Sequence, residues 1–405
     1  MKPDKSPTAT DSRLRIVVTG LAGLHPVGGV AFDYLQYVIG FHRLGHDVFY
    51  FEDTWSWPYH PIRKTQVPTG DYSAGLLDAF FARYAPECRD RWQYLHLHEQ
   101  AYGMSNTEMR EVLSTADLFI NVSGANALPD NLPEHCIKIF LDTDPGYNQI
   151  VMSERFPWSE NVDRWCDNVA AHDLYFTYAE NIHSANCEVP TLGLDWQTTR
   201  MPVVLDLWSN ISARSPAKNA PWTTVMTWSA FKGPVIYKGV EYKSKGAEFE
   251  KLENLPQRID IPLKVAVGGK DVPTAKLSDA GWIVDDGPAI TLTPEDYCGF
   301  IGQSRGEIST AKHVYVALHT GWFSCRSACY LAAGKPVVVQ DTGFSNIIPC
   351  GKGVLSFTSM DEAAECLRLV ESDYARHQDA ARQIAEEYFD SERVLGDMLK
   401  RIVTG

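Results

Sequence analysis

Residues 313–345, HVYVALHTGWFSCRSACYLAAGKPVVVQDTGFS, decide how this chain is read. They read as a strand end, a tight loop, a helix start, a helix of small residues, a turn and a buried strand. Within them His319-Thr320-Gly321-Trp322-Phe323-Ser324 sets a glycine and a hydroxyl before a helix that carries Arg326 in its first turn. The first amides of a helix have no internal partner, and the helix dipole favours negative charge at that end. Such an end accepts phosphate, and Arg326 adds a planar fork of donors matched to phosphate oxygens. The expectation is a diphosphate held along Gly321, Trp322, Phe323, Ser324, Arg326 and Ser327, with His319 beside it.

Working outward, the second half of the chain predicts strands over 223–227, 263–267, 282–284, part of 307–318, 336–340 and 354–357. Helices fall between them, one over 294–304 with Thr293 as N-cap and Pro294 in the first position. Two more follow over 361–371 and 374–403. The first half starts with LRIVVT (14–19) running into the loop GLAGLHPVGG (20–29). A helix pattern ends at Gly45, and DVFYFED forms a second strand, which together make a βαβ beginning. Further strands are expected over 118–122, 137–141 and 174–178. Strands alternating with helices predict parallel, doubly wound sheets. Residues 202–221 hold three prolines among small polar residues and read as the linker. The expected class is α/β, two doubly wound Rossmann-like domains facing across a cleft, with boundaries 13–205 and 220–385 and a last segment, 386–405. Ligands of such sheets sit beyond the carboxyl ends of the strands, where both glycine-rich loops fall.

Composition narrows the function. At 405 residues the length suits two domains. A net charge of −14 argues against a nucleic-acid partner, which calls for a basic face. No apolar run approaches the ~20 residues of a transmembrane helix. The polar start MKPDKSPTATDSR has no apolar core of a secretory signal and reads as a loose tail, so a cytoplasmic protein is expected. The nine cysteines are scattered without a C-x-x-C pair, which disfavours zinc and a disulfide framework. Cys325 and Cys329, four apart, read as small core residues.

Three segments together resemble glycosyltransferases of the two-domain GT-B fold. The first is a glycine pair opening a helix that ends in Leu44-Gly45-His46-Asp47-Val48. The second is His319-x-Gly321-Trp322-x-Ser324, similar to the H-x-G-W-x-S donor loop of plant secondary-product glycosyltransferases. The third is Gly334-Lys335-Pro336-Val337-Val338, like the G-x-P-V-V turn of bacterial group-one enzymes. The resemblance spans about residues 14 to 403. It departs at the plant enzymes' ribose-binding Glu, which is Ser327 here, and at the E-x7-E positions of the group-one enzymes, which are Gly321 and Cys329.

The resemblance implies transfer of a sugar from a nucleoside diphosphate sugar, as co-substrate, to a small-molecule acceptor, with no metal and no other cofactor. The donor would sit on the second domain, the acceptor on the first, and the last helix would return to the first domain. A homodimer is left open. His25, after the first strand, would take the acceptor's proton; an imidazole near pKa 6.5 suits that task. Asp144, in Asp142-Thr143-Asp144-Pro145-Gly146, is the alternative base, though such a segment also makes a plain turn. Asp341, Thr342 and Gly343 would meet sugar hydroxyls, and Gly28 and Gly29 would admit the donor from the other side. Ser229, Lys232, Lys243 or Lys245 would add a second phosphate contact. Trp55, Trp57 and Tyr59 offer an aromatic acceptor platform, or ordinary loop packing.

Three rivals remain. Thr19-Gly20-x-x-Gly23 with Glu52 or Asp53 ending the next strand mimics a dinucleotide fingerprint, so an NAD-dependent oxidoreductase is one; Pro26 at the third glycine position speaks against it. A sugar-nucleotide epimerase using Asp142 and Asp144 is the second. A binding protein without turnover is the third.

Overall fold

The computed structural model describes residues 13–124, 126–159, 161–212 and 216–404. Residues 213–215 of the expected linker therefore lie outside the described residues. Two sheets organise the chain. The first has eight strands in the order Trp196–Thr198, Leu174–Thr177, Ile137–Asp142, Leu118–Val122, Arg15–Thr19, Asp47–Thr54, Trp92–His96, Gln100–Gly103. All its pairings are parallel except the last, where a tight reversal lets Gln100–Gly103 run back along its neighbour. The second has six parallel strands: Ile283–Asp286, Leu263–Gly268, Trp222–Thr227, Glu307–Ser309, Val337–Gln340, Val354–Phe357. The central strands are continuous apolar, β-branched runs because both of their faces are covered. Strands Trp92–His96, Gln100–Gly103 and Trp196–Thr198 escaped the sequence reading; Trp92–His96 mixes Gln and His into a fully buried stretch.

Two local expectations fail. Residues 313–318 are not a strand end: the strand stops at Ser309 and His313–Ala317 is a short helix. The turn places Lys312 and Tyr315 on Asp144 of the other domain. Nor is 374–403 one helix. Tyr374–Ile384 passes through a π turn at Ala385–Phe389, and a new helix, Ser391–Thr404, begins behind Asp390. Asp390 bridges Val203, and its carboxylate accepts from the amides of Glu392 and Arg393, both at 3.1 Å, as an N-cap does. The final helix packs on the first one, Gly28–Arg43: a Cβ at Gly40 would stand 2.5 Å from Leu395.

The domains share an apolar core. Phe32 of the first helix packs against Tyr297 of the second domain at 5.9 Å, and Trp208 lies 5.1 Å from Phe32. Polar links cross the same boundary. The Gly28 amide donates to Thr291 O (2.9 Å), the Asn181 amide to Thr320 O (3.0 Å) and the Glu188 amide to Leu318 O (3.0 Å). No described helix is long and apolar enough to cross a membrane.

Candidate functional site

Between the domains lies a cleft of about 840 Å³. The carboxyl ends of both sheets open onto it, which places Ser123, Thr143, Asp144 and Tyr178 on one wall and Thr227, Gly269, Gly287 and Ala311 on the other. This is where ligands of doubly wound sheets bind.

The cationic floor is built by three residues. Lys245 opens the short helix Lys245–Phe249, Arg326 stands in the first turn of Cys325–Ala332, and Ser309 ends a central strand. The Lys245 ammonium and the Arg326 guanidinium both donate to Ser309 Oγ, at 3.0 and 2.6 Å. Arg326 also donates through Nε to Glu307 Oε1 (2.5 Å) and through Nη1 to Val225 O (2.7 Å). Glu307 is fully buried and fixes the guanidinium from behind. A guanidinium carries five N–H donors; three are committed, which leaves two, and Arg326 faces the cleft. Burial pushes the Lys245 ammonium well below its ordinary pKa, and the Arg326 charge pushes it further. An anion beside them would relieve the Arg326 charge and favour the protonated Lys245 again.

The other residues expected at the donor loop divide. Ser324 and Trp322 line the cleft; Trp322 packs at a tilt against Tyr315, centroids 4.4 Å apart, and donates to Thr143 O at 3.3 Å. Phe323 is instead core, packed against Phe344 and Phe389, and Ser327 is buried, its hydroxyl unpartnered. His319 is exposed and outside the cleft lining. Gly321 serves domain packing: with φ +78°, a Cβ there would stand 2.7 Å from the Asn181 amide nitrogen. Asn181 Nδ2 donates to His319 O (3.2 Å) and Gly343 O (3.0 Å). Gly343 is likewise closed by Asn181, 2.3 Å from the place of a Cβ. Asp341 spends its oxygens on the Gly343 amide (2.7 Å) and the Ser345 hydroxyl (2.6 Å), and Thr342 donates to Trp322 O (2.6 Å). The segment 341–343 thus clamps a residue of the first domain and does not line the cleft.

The glycine pair of the first loop divides too. A Cβ at Gly28 would fall 2.1 Å from Thr293 O, so this glycine admits the second domain's backbone; Gly29 lines the cleft beside Tyr297. His25 lines the cleft on its exposed side, and desolvation by the surrounding protein lowers its pKa. Asp144 is in the cleft but engaged: Lys312 and the Tyr315 hydroxyl both bind its carboxylate. Ser229 lines the cleft, Lys232 is exposed outside it, and the Lys243 amide meets His313. Tyr59 lines the cleft; Trp55 stacks on His98 (4.5 Å) with the Arg164 guanidinium 5.3 Å from its ring, and both Trp55 and Trp57 remain about half exposed and outside the cleft lining.

The cysteine pair divides as well: Cys329 is core, while Cys325 lines the cleft. The oxidoreductase rival loses Glu52, and the epimerase rival loses Asp142. Glu52 is buried and accepts from the Gly23 and Leu24 amides, both at 2.7 Å, and from Tyr50 (2.5 Å), so it holds its own loop. Asp142 is buried and accepts from Asn148, Gln149, Thr177 and the Asp144 amide at 2.6–3.0 Å. A carboxylate with four donors has no free lone pair for substrate.

Sequence reading missed Asp33. It lies in the first helix, faces the cleft and makes no hydrogen bond or ion pair of its own among the described residues. Burial lifts its pKa to about 7, against the lowering effect of Arg326. The signal was present as a single acid in the largely apolar run VAFDYLQYVIGF, and a charge set into such a run is the informative exception.

No protein-family model and no curated protein matches the sequence. Solved structures do match the fold. An α-glucosyltransferase in complex with UDP and a 13-mer DNA superposes with a TM-score of 0.55 at 13% identity, covering 96% of this chain and 100% of that one. Sucrose-phosphate synthase from Thermosynechococcus elongatus gives 0.55 at 13% identity, covering 97% and 100%. HepE from Anabaena, in complex with UDP-glucose, gives 0.54 at 11% identity, covering 97% and 100%. The fold is that of the GT-B glycosyltransferases, two Rossmann-like domains across a cleft.

Proposed function

We propose that this protein is a glycosyltransferase that moves a sugar from a nucleoside diphosphate sugar to a small-molecule acceptor in the interdomain cleft. The observation that carries the reading is the convergence of Lys245 and Arg326 on Ser309 Oγ. Together with the helix end at Ser324 they form a preorganised cationic seat where the carboxyl ends of the strands meet. Fixed charges in a cleft stabilise the charge that develops on the departing diphosphate, which is usually the largest catalytic contribution. In this reading the side-chain cations do the work a divalent ion does elsewhere.

The acceptor enters from the first domain. Its hydroxyl oxygen attacks the sugar's anomeric carbon, the bond to the diphosphate oxygen breaks, and the electron pair leaves with the diphosphate. His25, kept neutral by its lowered pKa, takes the hydroxyl proton. Asp144 positions Lys312 and Tyr315 on the cleft wall instead of acting as base. The net charge of −14 favours a small acceptor over nucleic acid. A panel of nucleoside diphosphate sugars screened by thermal shift tests the reading: at least one should raise the melting temperature of the wild type and not of Lys245→Met. No shift with any of them would refute it.

A further inference from the structure

Asp33 and Asp144 are the acidic residues that line the cleft. Asp144 is paired with Lys312 and accepts from the Tyr315 hydroxyl. Asp33 has no such partner, yet it faces the seat assigned above to an anion. The groups around it are Tyr34 and Tyr37 on its own helix, Tyr297 on helix Pro294–Gln303, Cys325, Arg326 and Cys329 on helix Cys325–Ala332, and Tyr178 beyond strand Leu174–Thr177. Arg326 is the one cation among them. An ionised Asp33 would repel the diphosphate and compete with it for Arg326. A protonated Asp33 would offer an O–H donor to a donor oxygen.

We propose, resting on the donor-site reading above, that Asp33 binds the sugar nucleotide as a carboxylic acid, so that a diphosphate entering beside Arg326 draws one proton from solvent onto the Asp33 carboxyl. The proton comes from buffer, an Oδ–H bond forms, and no other bond changes. In the free protein desolvation raises the Asp33 pKa to about 7, with the Arg326 charge opposing the rise. A bound diphosphate spends the Arg326 charge and adds its own negative field, and both effects raise the Asp33 pKa. By linkage, a site that gains a proton on binding loses affinity as pH rises through the pKa of the free state.

Calorimetric titration with UDP-glucose, whose diphosphate does not titrate near neutrality, tests this in buffers of different ionisation enthalpy. At pH 8 the wild type should take up about one proton more than Asp33→Asn, whose amide mimics the neutral acid. Between pH 7 and 9 wild-type affinity should fall by up to about tenfold per pH unit beyond any fall in the variant. Lys245 can also gain a proton, but does so in both proteins. At pH 9 Asp33→Asn should therefore bind more tightly than wild type, a gain that a merely structural role would not produce. Asp33→Ser, measured in parallel, should lose the same proton and guards against a folding defect in one variant. Binding with equal proton uptake in wild type and both variants overturns the proposal alone. Failure of the wild type to bind UDP-glucose overturns the donor-site reading beneath it.

Discussion

Two regions built from neighbouring residues of one loop behave in opposite ways. The clamp of Gly321, Gly343 and Asn181 is neutral, and the donors of the Asn181 side chain and backbone meet carbonyl acceptors of the protein. The floor at Ser324, Arg326, Lys245 and Ser309 gathers charge, and both cations keep unused donors. Buried polar groups that serve structure are satisfied internally. Groups that serve a ligand keep capacity in reserve. The difference separates the part of the loop that joins the domains from the part proposed to meet substrate.

Arg326 both faces the cleft and pairs with the buried Glu307, so its removal should have the largest effect. Arg326→Ala leaves Glu307 buried and unpaired, which should cost roughly 3–5 kcal/mol. Denaturant unfolding reads that loss, and turnover should vanish with it. A variant as stable as wild type would show that Glu307 does not depend on the arginine.

Lys245→Met separates the two roles. Its folded-state pKa is depressed, so the charged form is penalised at every pH below that value, and stability rises as pH rises through it. Removing the amine should leave the melting temperature unchanged or raised. Donor kcat/KM should nevertheless fall by about 10²–10³-fold, the usual cost of one preorganised charge-stabilising donor. His25→Gln should spare donor binding and lower kcat by about 10²-fold. The wild-type acid limb should then lie below pH 6.5, because His25 titrates below its ordinary value. Equal rates would remove His25 as the proton acceptor.

How far the sequence went is visible in these same residues. The strand and helix pattern was legible because parallel strands buried on both faces are short apolar runs, and Arg15–Thr19, Leu118–Val122 and Val337–Gln340 lie where such runs predict. Arg326 and Lys245 were legible as cations beside strand ends. Asp341, Thr342 and Gly343 were misread, because a glycine with positive φ declares that something approaches closely, not what approaches. At Gly321, Gly343 and Gly28 the approaching group is the other domain. Asp33 was passed over because its significance depends on a helix more than 290 positions away in the chain, which sequence order does not show.

Smaller effects sharpen the contrast. Gly321→Ala forces a left-handed φ on a side chain, roughly 1–2 kcal/mol, and crowds Asn181 as well. It should lower the melting temperature while donor affinity in the folded fraction stays near wild type. His319→Ala should change turnover by less than about twofold, as surface substitutions away from a site do. A large loss of donor affinity there would return the histidine to the donor site.

The most direct measurement is a crystal structure with UDP-glucose bound. Diphosphate oxygens should lie about 3 Å from Lys245 Nζ and an Arg326 nitrogen, in front of Ser324. A diphosphate seated against residues 20–24 of the first domain would contradict the account.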